Sequence, residues 1–269
     1  MVLYYKEFGQ ENDEIILFLH GGGVAGWMWD KQVQYFKENY HCIVPDLPGH
    51  GQNNESEFVS IEDCAFQLIH LLQEQHEDKK KIVVGFSLGA QIAIQMLCIN
   101  KSLINCAMIN SALVRKIPLG KQMVKPSLKL TYPFIKSRTF SKLQAKTLYI
   151  GEDRFEQYFT ESNQMSLNTL TRVLEENMSF HIPFEYSNVK TRLLITVGEK
   201  EKKVMKNSAG DLLNKHDCAN AITISGIGHG IPLAAPEFFN DILENWLKGG
   251  NVLTNTEEIK RSGSTPEIH

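Results

Sequence analysis

The chain has 269 residues, of which 42% are hydrophobic and 22% are charged. This composition is typical of a globular protein with a sizeable core and excludes a wholly disordered chain. The 28 lysines and arginines nearly balance the 31 aspartates and glutamates, and the net charge of −3 provides no general basis for nucleic-acid binding.

The apolar runs and the cysteines indicate the cellular compartment of the protein. Ile15 to Leu19, one of the longest apolar runs, is far shorter than the ~20 residues that cross a bilayer. The N-terminal stretch MVLYYKEFGQENDE turns polar where a secretory signal would be apolar. The cysteines are odd in number, form no C-x-x-C pair and lie mostly among apolar residues: Cys42, Cys64, Cys98, Cys106 and Cys218. We therefore expect a cytoplasmic protein with buried, reduced cysteines, no disulfides, no metal site and no integral membrane contact.

Short apolar segments alternate with segments of helical periodicity along most of the chain. The predicted strands are 15–19, 42–44, 81–86, 104–109, 192–197 and 221–224. The predicted helices are 60–76, with Ser60 as N-cap, 88–99, 204–215 and 236–247. Short strands that are apolar on both faces and alternate with helices predict an α/β fold, with a mostly parallel central sheet covered by helices on both faces.

Residues 113–186 interrupt this alternation and are predicted to form an inserted, mainly helical cap. The first part, 113–146, carries nine basic residues and no acidic one, whereas 147–185 carries seven acidic residues and two arginines. We interpret the basic run as a solvated face or as one half of the cap pairing with the other. Attraction of an anionic substrate or a lipid surface is the alternative. The sheet domain then comprises 1–112 and 187–248, and the polar segment 249–269 is predicted to be a flexible tail.

The segment Gly85-Phe86-Ser87-Leu88-Gly89-Ala90 follows a predicted strand and begins a predicted helix. This is the context of a G-x-S-x-G nucleophile elbow, in which a tight, strained turn presents the serine and requires small residues two positions before and after it. Ser87 is therefore the candidate nucleophile. A bare G-x-S-x-G also occurs by chance, but the preceding strand and the following apolar helix favour the catalytic interpretation.

A serine nucleophile needs a base and donors for the developing oxyanion. His229 lies in a glycine-flanked loop after the last predicted strand and is the candidate base, while His20, at the end of another strand, is the competing histidine and is interpreted as an anchor of the adjacent loop. That loop, Gly21-Gly22-Gly23, is placed to contribute a backbone N–H. We assign the oxyanion donors to Gly22, with Gly23 as an alternative, and to Leu88. Trp27 and Trp29 are interpreted as core packing.

Four motifs together, HGGGVAGWMW, DLPGHG, GFSLGA and GIGHGIPLAAPEFF, resemble the α/β-hydrolase superfamily in the order its members use. The resemblance covers essentially residues 1–248, with 113–186 in the position of the family's cap. It implies the α/β-hydrolase fold and a Ser–acid–His triad in that chain order. The family's acid usually follows Gly in a G-x-x-D pattern before the histidine strand, and here Glu201 occupies that position. Glu199 and Asp217 are the alternatives, and the resemblance makes Asp46 structural.

The glycine loop also matches a different motif. Residues 21–26 fit G-x-G-x-x-G after a strand, and Asp46 lies 20 residues later, as in a dinucleotide-binding fingerprint. However, the loop runs directly into Trp27-Met28-Trp29, Asp46 begins its own glycine turn, and the fingerprint leaves Ser87 and His229 without a role. We therefore expect no cofactor.

These observations predict a cytoplasmic serine hydrolase, or serine esterase, that cleaves a small ester or related acyl substrate through an acyl-enzyme intermediate. The small-molecule substrate is the only partner expected; the oligomeric state stays open. The same site is compatible with C–C bond hydrolysis, lyase chemistry or acyl transfer, because a fold does not determine its function. A non-catalytic binding or signalling protein on the same scaffold is the second alternative.

Overall fold

The computed structural model describes residues 3–76, 78–250 and 255–261. Within them lies a single eight-stranded sheet in the order β1-β3-β2-β4-β5-β6-β7-β8. The strands are β1 Tyr5–Phe8, β2 Glu14–Leu19, β3 His41–Pro45, β4 Lys80–Phe86, β5 Cys106–Asn110, β6 Arg192–Gly198, β7 Ala219–Ile224 and β8 Thr256–Glu258. All neighbouring pairs from β3 to β7 are parallel, and only the outer pairs β1·β3 and β7·β8 are antiparallel.

Helices connect the strands, and the four helices with predicted bounds end within one residue of those bounds. They are α1 Asp30–Phe36, α2 Ile61–Gln75, α3 Leu88–Ile99, α4 Gly120–Ile135, α5 Arg138–Thr147, α6 Glu152–Gln164, α7 Leu167–Ser179, α8 Lys203–Asn214, α9 Ile231–Ala234 and α10 Pro236–Leu247. Ser60 caps α2 as predicted, since its hydroxyl accepts a hydrogen bond from the Asp63 N–H at 3.0 Å. The predicted α/β fold class is confirmed, and the six predicted strands differ from the observed ones by at most two residues at any end.

Both faces of the sheet are buried, which explains why its strands read as continuous apolar runs. Along β2, Ile15, Leu17 and Leu19 belong to the core on the side of α2 and α3, whereas Ile16 and Phe18 belong to the core on the side of α1 and α10. Successive side chains of a strand point to opposite faces, and a strand covered on both sides therefore needs an apolar residue at every position.

The two edge strands are absent from the sequence prediction. β1 alternates half-buried and exposed residues, and β8 is the polar sequence Thr-Glu-Glu. An edge strand is paired on one side only and buries little side-chain area, so it carries no apolar run. β8 also corrects the prediction of a flexible tail over 249–269, because Thr256–Glu258 pairs with β7. The segments 251–254 and 262–269 lie outside the described residues.

The cysteines follow the sequence interpretation with one exception. All five are free thiols, and Cys42, Cys64, Cys98 and Cys106 are buried. Cys218 is exposed, contrary to the prediction, because it lies in the turn between α8 and β7 and packs into neither core cluster. Burial raises the pKa of the Cys42 thiol to about 12, so this thiol behaves as a small apolar side chain.

The parallel strands point their carboxyl ends to one edge of the sheet. The loops that leave β2, β4, β5, β6 and β7 at this edge carry Gly22, Ser87, Ser111, Glu201 and His229, respectively. The helices α4 to α7 lie between β5 and β6 in the chain. In open parallel sheets this carboxyl edge is where ligands bind.

Candidate active site

Ser87 forms a tight turn between β4 and α3. Its backbone has φ 53° and ψ −110°, which lies in the left-handed half of conformational space that a non-glycine residue rarely occupies. The turn is held by a 2.9 Å hydrogen bond from the Ser87 N–H to the carbonyl oxygen of Asn110, at the end of β5. The strained conformation that the sequence predicted for the serine is therefore present.

The glycines around Ser87 are required by close backbone approaches. A Cβ on Gly85 would lie 2.5 Å from the carbonyl oxygen of Gly89, and a Cβ on Gly89 would lie 2.2 Å from the carbonyl oxygen of Leu19. Both contacts are with backbone atoms, which cannot move aside as a flexible side chain could. Strand β4, the turn and helix α3 are consequently packed at a distance that only glycine permits.

We predict that Gly89→Ala lowers the free energy of unfolding by at least about 3 kcal/mol, because overpacking here forces β2 and α3 apart. Gly210→Ala is the matched control, since Gly210 lies within α8 and a Cβ there meets no atom within 4 Å. Removing a glycine from a helix interior should stabilise the fold by about 0.5–1 kcal/mol. Urea unfolding of both variants measures the difference; equal stabilities would contradict the packing argument.

His229 lies opposite Ser87 in the loop after β7. Its Nε2 is 3.1 Å from the Ser87 Oγ, and its ring packs against Phe86 with centroids 4.9 Å apart. The following glycine has φ +106°, and a Cβ on Gly230 would lie 2.8 Å from the carbonyl oxygen of Leu148. Glycine at this position lets the loop turn between the sheet and the helices α5 and α6, which brings the imidazole to the serine.

Glu201 lies on the other side of the imidazole. Its Oε2 is 2.8 Å from His229 Nδ1, and its Oε1 accepts hydrogen bonds from the Ser111 hydroxyl at 2.6 Å and from the Gly198 N–H at 3.0 Å. The side chain is only 1% exposed. Burial alone would raise the pKa of the Glu201 carboxyl, but the hydrogen bonds from His229, Ser111 and Gly198 outweigh it and lower the pKa. The group is therefore a buried carboxylate.

The other acidic candidates lie elsewhere. Glu199 accepts a hydrogen bond from the Gly226 N–H at 2.7 Å, and Asp217 forms an exposed ion pair with Lys190 at 3.1 Å. The Asp46 carboxylate accepts hydrogen bonds from the N–H groups of Gly26 at 2.7 Å and Gln52 at 2.8 Å. Both Asp46 oxygens thus hold the backbone of neighbouring turns, which is the structural role expected for this residue. Because both oxygens already accept hydrogen bonds from the backbone, the carboxylate is poorly placed to bind the hydroxyl groups of a ribose.

Two further residues contribute to the site and were not predicted. Ser111 is buried and has φ 56°, and this conformation after β5 brings its hydroxyl to Glu201. Tyr149 accepts a hydrogen bond from the Gly228 N–H at 2.9 Å and so contacts the loop of His229. Neither residue stands in a recognisable motif, because each reaches the site from a distant part of the chain.

Gly22 and Leu88 lie together beside Ser87. A Cβ on Gly22 would be 4.0 Å from the Leu88 Cβ, and both residues border the same cavity as Ser87. Leu88 is the first residue of α3, where an α-helix has no internal acceptor for the N–H. No described residue accepts a hydrogen bond from the Gly22 N–H. Two backbone donors are thus available next to the serine, at a helix terminus that favours negative charge.

His20 anchors the glycine loop, as expected. Its Nδ1 donates to the Gly21 carbonyl oxygen at 2.8 Å, and its Nε2 accepts from the Leu47 N–H at 2.9 Å. The ring is fully buried, with its centroid 5.1 Å from that of His50. Burial lowers the pKa of His20 to about 4, and burial together with the nearby His20 lowers the pKa of His50 to about 3. Both imidazoles are therefore neutral in the folded protein.

These depressed pKa values predict acid sensitivity. In the unfolded chain a histidine has a pKa near 6.5. Below that pH, His20 and His50 bind protons in the unfolded chain but not in the folded protein, so the free energy of unfolding falls as the pH falls. Each such histidine should contribute a slope approaching about 1.4 kcal/mol per pH unit between pH 6 and pH 5. Urea unfolding across this range measures the slope. It should decrease in His50→Gln and be unchanged in His70→Gln, an exposed histidine; a flat profile in the unsubstituted protein would contradict the prediction.

One group of potential metal ligands lies at the opposite edge of the sheet. The Glu7 Oε1 is 3.0 Å from His41 Nε2 and 3.3 Å from His76 Nε2. However, the Lys79 ammonium lies 3.3 Å from His41 Nδ1 and requires an acceptor there, which places the proton of a neutral His41 on Nε2. A metal-bound imidazole needs the reverse arrangement, with a proton on Nδ1 facing an acceptor. The cluster is therefore a poor fit to a metal ion.

Two cavities meet at Ser87. The Leu88 chamber, about 390 Å³, includes Gly22 and Leu88 and is otherwise bordered mainly by side chains of α5, α6 and α7. The His229 chamber, about 650 Å³, includes His229, Glu201 and Tyr149. Both volumes are in the range of small-molecule sites. Ser87 borders both, so a molecule at the serine can extend into each.

Comparison with known proteins identifies the family of this chain. The model of the alpha/beta hydrolase family matches residues 16–242. The chain belongs to this family. It is 22% identical over 251 residues to (E)-2-((N-methylformamido)methylene)succinate hydrolase of Acinetobacter baylyi, covering 90% of this chain and 93% of that protein. A pimeloyl-[acyl-carrier protein] methyl ester esterase of Vibrio cholerae is 33% identical over 96 residues, a match that spans only 36% of this chain and 35% of the esterase.

Solved structures agree on the fold of this alpha/beta hydrolase. An esterase from Exiguobacterium antarcticum superposes with a TM-score of 0.77 at 17% identity, covering 91% of this chain and 95% of that one. The relatives are hydrolases and esterases by name, which supports hydrolase activity in general terms. Among the described residues, no helix combines the length and apolar character that crossing a membrane requires.

Proposed function

We propose that this alpha/beta hydrolase is a serine hydrolase that cleaves a small ester or related acyl substrate. Ser87 attacks the carbonyl carbon while His229 Nε2 takes the hydroxyl proton, and Glu201 holds His229 and stabilises the imidazolium. His229 then donates that proton to the leaving-group oxygen. Water, activated by the same imidazole, hydrolyses the acyl-enzyme and restores Ser87.

The oxyanion of each tetrahedral intermediate is stabilised in this proposal by the N–H groups of Gly22 and Leu88. The helices α4 to α7 act as the cap and supply the walls that select the acyl group. No cofactor or metal takes part in any step. The balanced charge and the cysteine pattern support a cytoplasmic location and a small molecule, rather than a nucleic acid, as partner.

The observation that carries the proposal is the chain of two hydrogen bonds from Ser87 Oγ through His229 to a buried, ionised carboxylate. A protein that used the scaffold only for binding would not need a carboxylate aligned with the imidazole at a strained serine. This feature favours catalysis over the non-catalytic alternative.

The experiment is turnover of short-chain p-nitrophenyl esters by the purified protein. Saturable hydrolysis at neutral pH is expected, with a burst of p-nitrophenol when deacylation is slower than acylation. No hydrolysis of any acyl ester in a broad panel would overturn the proposal and favour the C–C hydrolase, lyase or non-catalytic alternatives.

A further inference from the structure

The basic run of 113–146 is only partly paired. Three of its nine cations form ion pairs: Arg115 with Asp211, Lys125 with Glu175, and Arg138 with Glu156. The other six have no carboxylate oxygen within 4.0 Å among the described residues: Lys116, Lys121, Lys129, Lys136, Lys142 and Lys146. Only Lys125 and Arg138 pair with the acidic half, so pairing between the two halves explains two of the nine cations.

One of these unpaired lysines borders the active site. Lys146, at the end of α5, borders the His229 chamber together with Lys200 and Lys202 from the loop after β6. Within the described part of the chain, neither Lys200 nor Lys202 pairs with a carboxylate. Among the described residues that border this chamber, Glu201 is the only acidic one, and its oxygens are hydrogen-bonded to His229, Ser111 and Gly198. Three lysines that form no ion pair with a described residue thus border this chamber.

Among the described residues, the Leu88 chamber has no charged residue in its lining, in contrast to the His229 chamber. Its described lining contains no Asp, Glu, Lys or Arg, and includes the apolar side chains of Ile135, Leu170, Val173 and Leu174. An ionised group placed there would lose its hydration without gaining a partner of opposite charge. The two chambers that meet at Ser87 are therefore suited to different ends of an amphiphilic substrate.

The chemistry of the proposed reaction determines which chamber holds the acyl chain and which holds the leaving group. In acyl transfer the oxyanion faces its N–H donors, Gly22 and Leu88, which border the Leu88 chamber. The leaving-group oxygen must receive a proton from His229 Nε2, and His229 borders the other chamber. The acyl chain consequently extends into the Leu88 chamber and the leaving group into the His229 chamber.

We infer that the substrate is an ester of an uncharged acyl group with an alcohol that carries an anionic group, a carboxylate or a phosphate, bound by Lys146, Lys200 and Lys202. This inference rests on the proposed function. Ser87 Oγ bonds to the carbonyl carbon, the bond from that carbon to the leaving oxygen breaks, and His229 returns the proton to that oxygen. Water then releases the acyl group as a carboxylic acid.

The test compares butyrate esters that differ only in the para group of the leaving phenol: 4-(butyryloxy)benzoate, 4-(butyryloxy)phenyl phosphate and the neutral 4-(butyryloxy)benzamide. Each kcat/KM is divided by the hydroxide-catalysed rate constant of the same ester, which corrects for leaving-group reactivity. We expect the anionic esters to be preferred about tenfold, mainly through KM, because three exposed ion pairs contribute modestly and additively. The ratio of the two anionic esters identifies carboxylate or phosphate as the better ligand.

Lysine variants test whether Lys200 and Lys202 cause the preference for anionic leaving groups. Lys200→Ala/Lys202→Ala should reduce the preference to about threefold or less and weaken its salt dependence. Lys121→Ala/Lys129→Ala removes the same two charges from exposed positions outside both chambers and should leave the preference unchanged. A carboxylate on the acyl side should be disfavoured, with mono-4-nitrophenyl glutarate hydrolysed at least about tenfold more slowly than 4-nitrophenyl pentanoate.

The outcomes separate this inference from the proposed function. Ser87-dependent hydrolysis of all three butyrate esters with equal corrected efficiency, or a preference that survives in Lys200→Ala/Lys202→Ala, would overturn the anionic leaving group and leave the hydrolase intact. Failure to hydrolyse any of the esters, neutral ones included, would overturn the proposed function itself, and the inference with it.

Discussion

Ser87→Ala should reduce kcat for a p-nitrophenyl ester by a factor of about 10⁶ while leaving the fold intact. The alanine removes the oxygen that forms the acyl-enzyme in the proposed mechanism, and no other hydroxyl lies within hydrogen-bonding distance of His229 among the described residues. A residual rate of about 10³–10⁴ over the uncatalysed reaction is expected, because the N–H groups of Gly22 and Leu88 still stabilise an oxyanion formed by water.

Steady-state kinetics with matched unfolding curves measure this effect. Ser102→Ala is the control, because Ser102 is an exposed serine in the turn after α3, far along the chain from the elbow, and its loss should change kcat less than twofold. If Ser87→Ala kept more than a few per cent of the activity, the nucleophile would have to be another group.

Glu201→Gln should reduce kcat by about 10⁴ despite its nearly identical shape. The Gly198 N–H is a fixed donor to Oε1, so the glutamine must present its carbonyl oxygen there and its NH₂ group to His229 Nδ1. The imidazole then has to accept at Nδ1 and carry its proton on Nε2, the atom that should take the proton from Ser87. The substitution thus imposes the wrong tautomer on an otherwise unchanged site.

Glu199→Gln is the matched control, since Glu199 is two residues away and accepts a hydrogen bond from Gly226 rather than from an imidazole. It should cost no more than a few-fold in kcat. Glu201→Asp, which keeps the charge but shortens the reach by one methylene, should fall between the two. A large loss in Glu199→Gln together with normal activity in Glu201→Gln would transfer the role of the acid.

The parts of the site that sequence reasoning found are those fixed by local backbone geometry. The turn at Ser87 requires glycine at positions 85 and 89, because a Cβ at either position would lie within 2.5 Å of a backbone atom. Such a requirement can be recognised in the sequence as a motif. Glu201 was found only through the spacing that the family resemblance implies. It stands between two lysines, Lys200 and Lys202, and nothing in the sequence indicates that its carboxylate is buried.

The parts that sequence reasoning missed depend on contacts between distant segments. Ser111 reaches Glu201 across 90 positions, and Tyr149 reaches Gly228 across 79. Nothing in the residues near either one indicates these contacts. The edge strand β8 was missed for a different reason, because a polar three-residue strand with one partner contributes almost no apolar pattern. Helices α4 to α7 lie between β5 and β6, but which of their residues border the two chambers required the tertiary structure.

The most direct test of the account is covalent labelling with a fluorophosphonate, read by intact mass and peptide mapping. Only an activated serine attacks this reagent quickly. We expect one adduct per chain, on Ser87, formed at a rate that falls by orders of magnitude in His229→Ala and absent in Ser87→Ala. Labelling that persists in Ser87→Ala, or that proceeds at an unchanged rate without His229, would contradict the assignment of Ser87 as a nucleophile activated by His229.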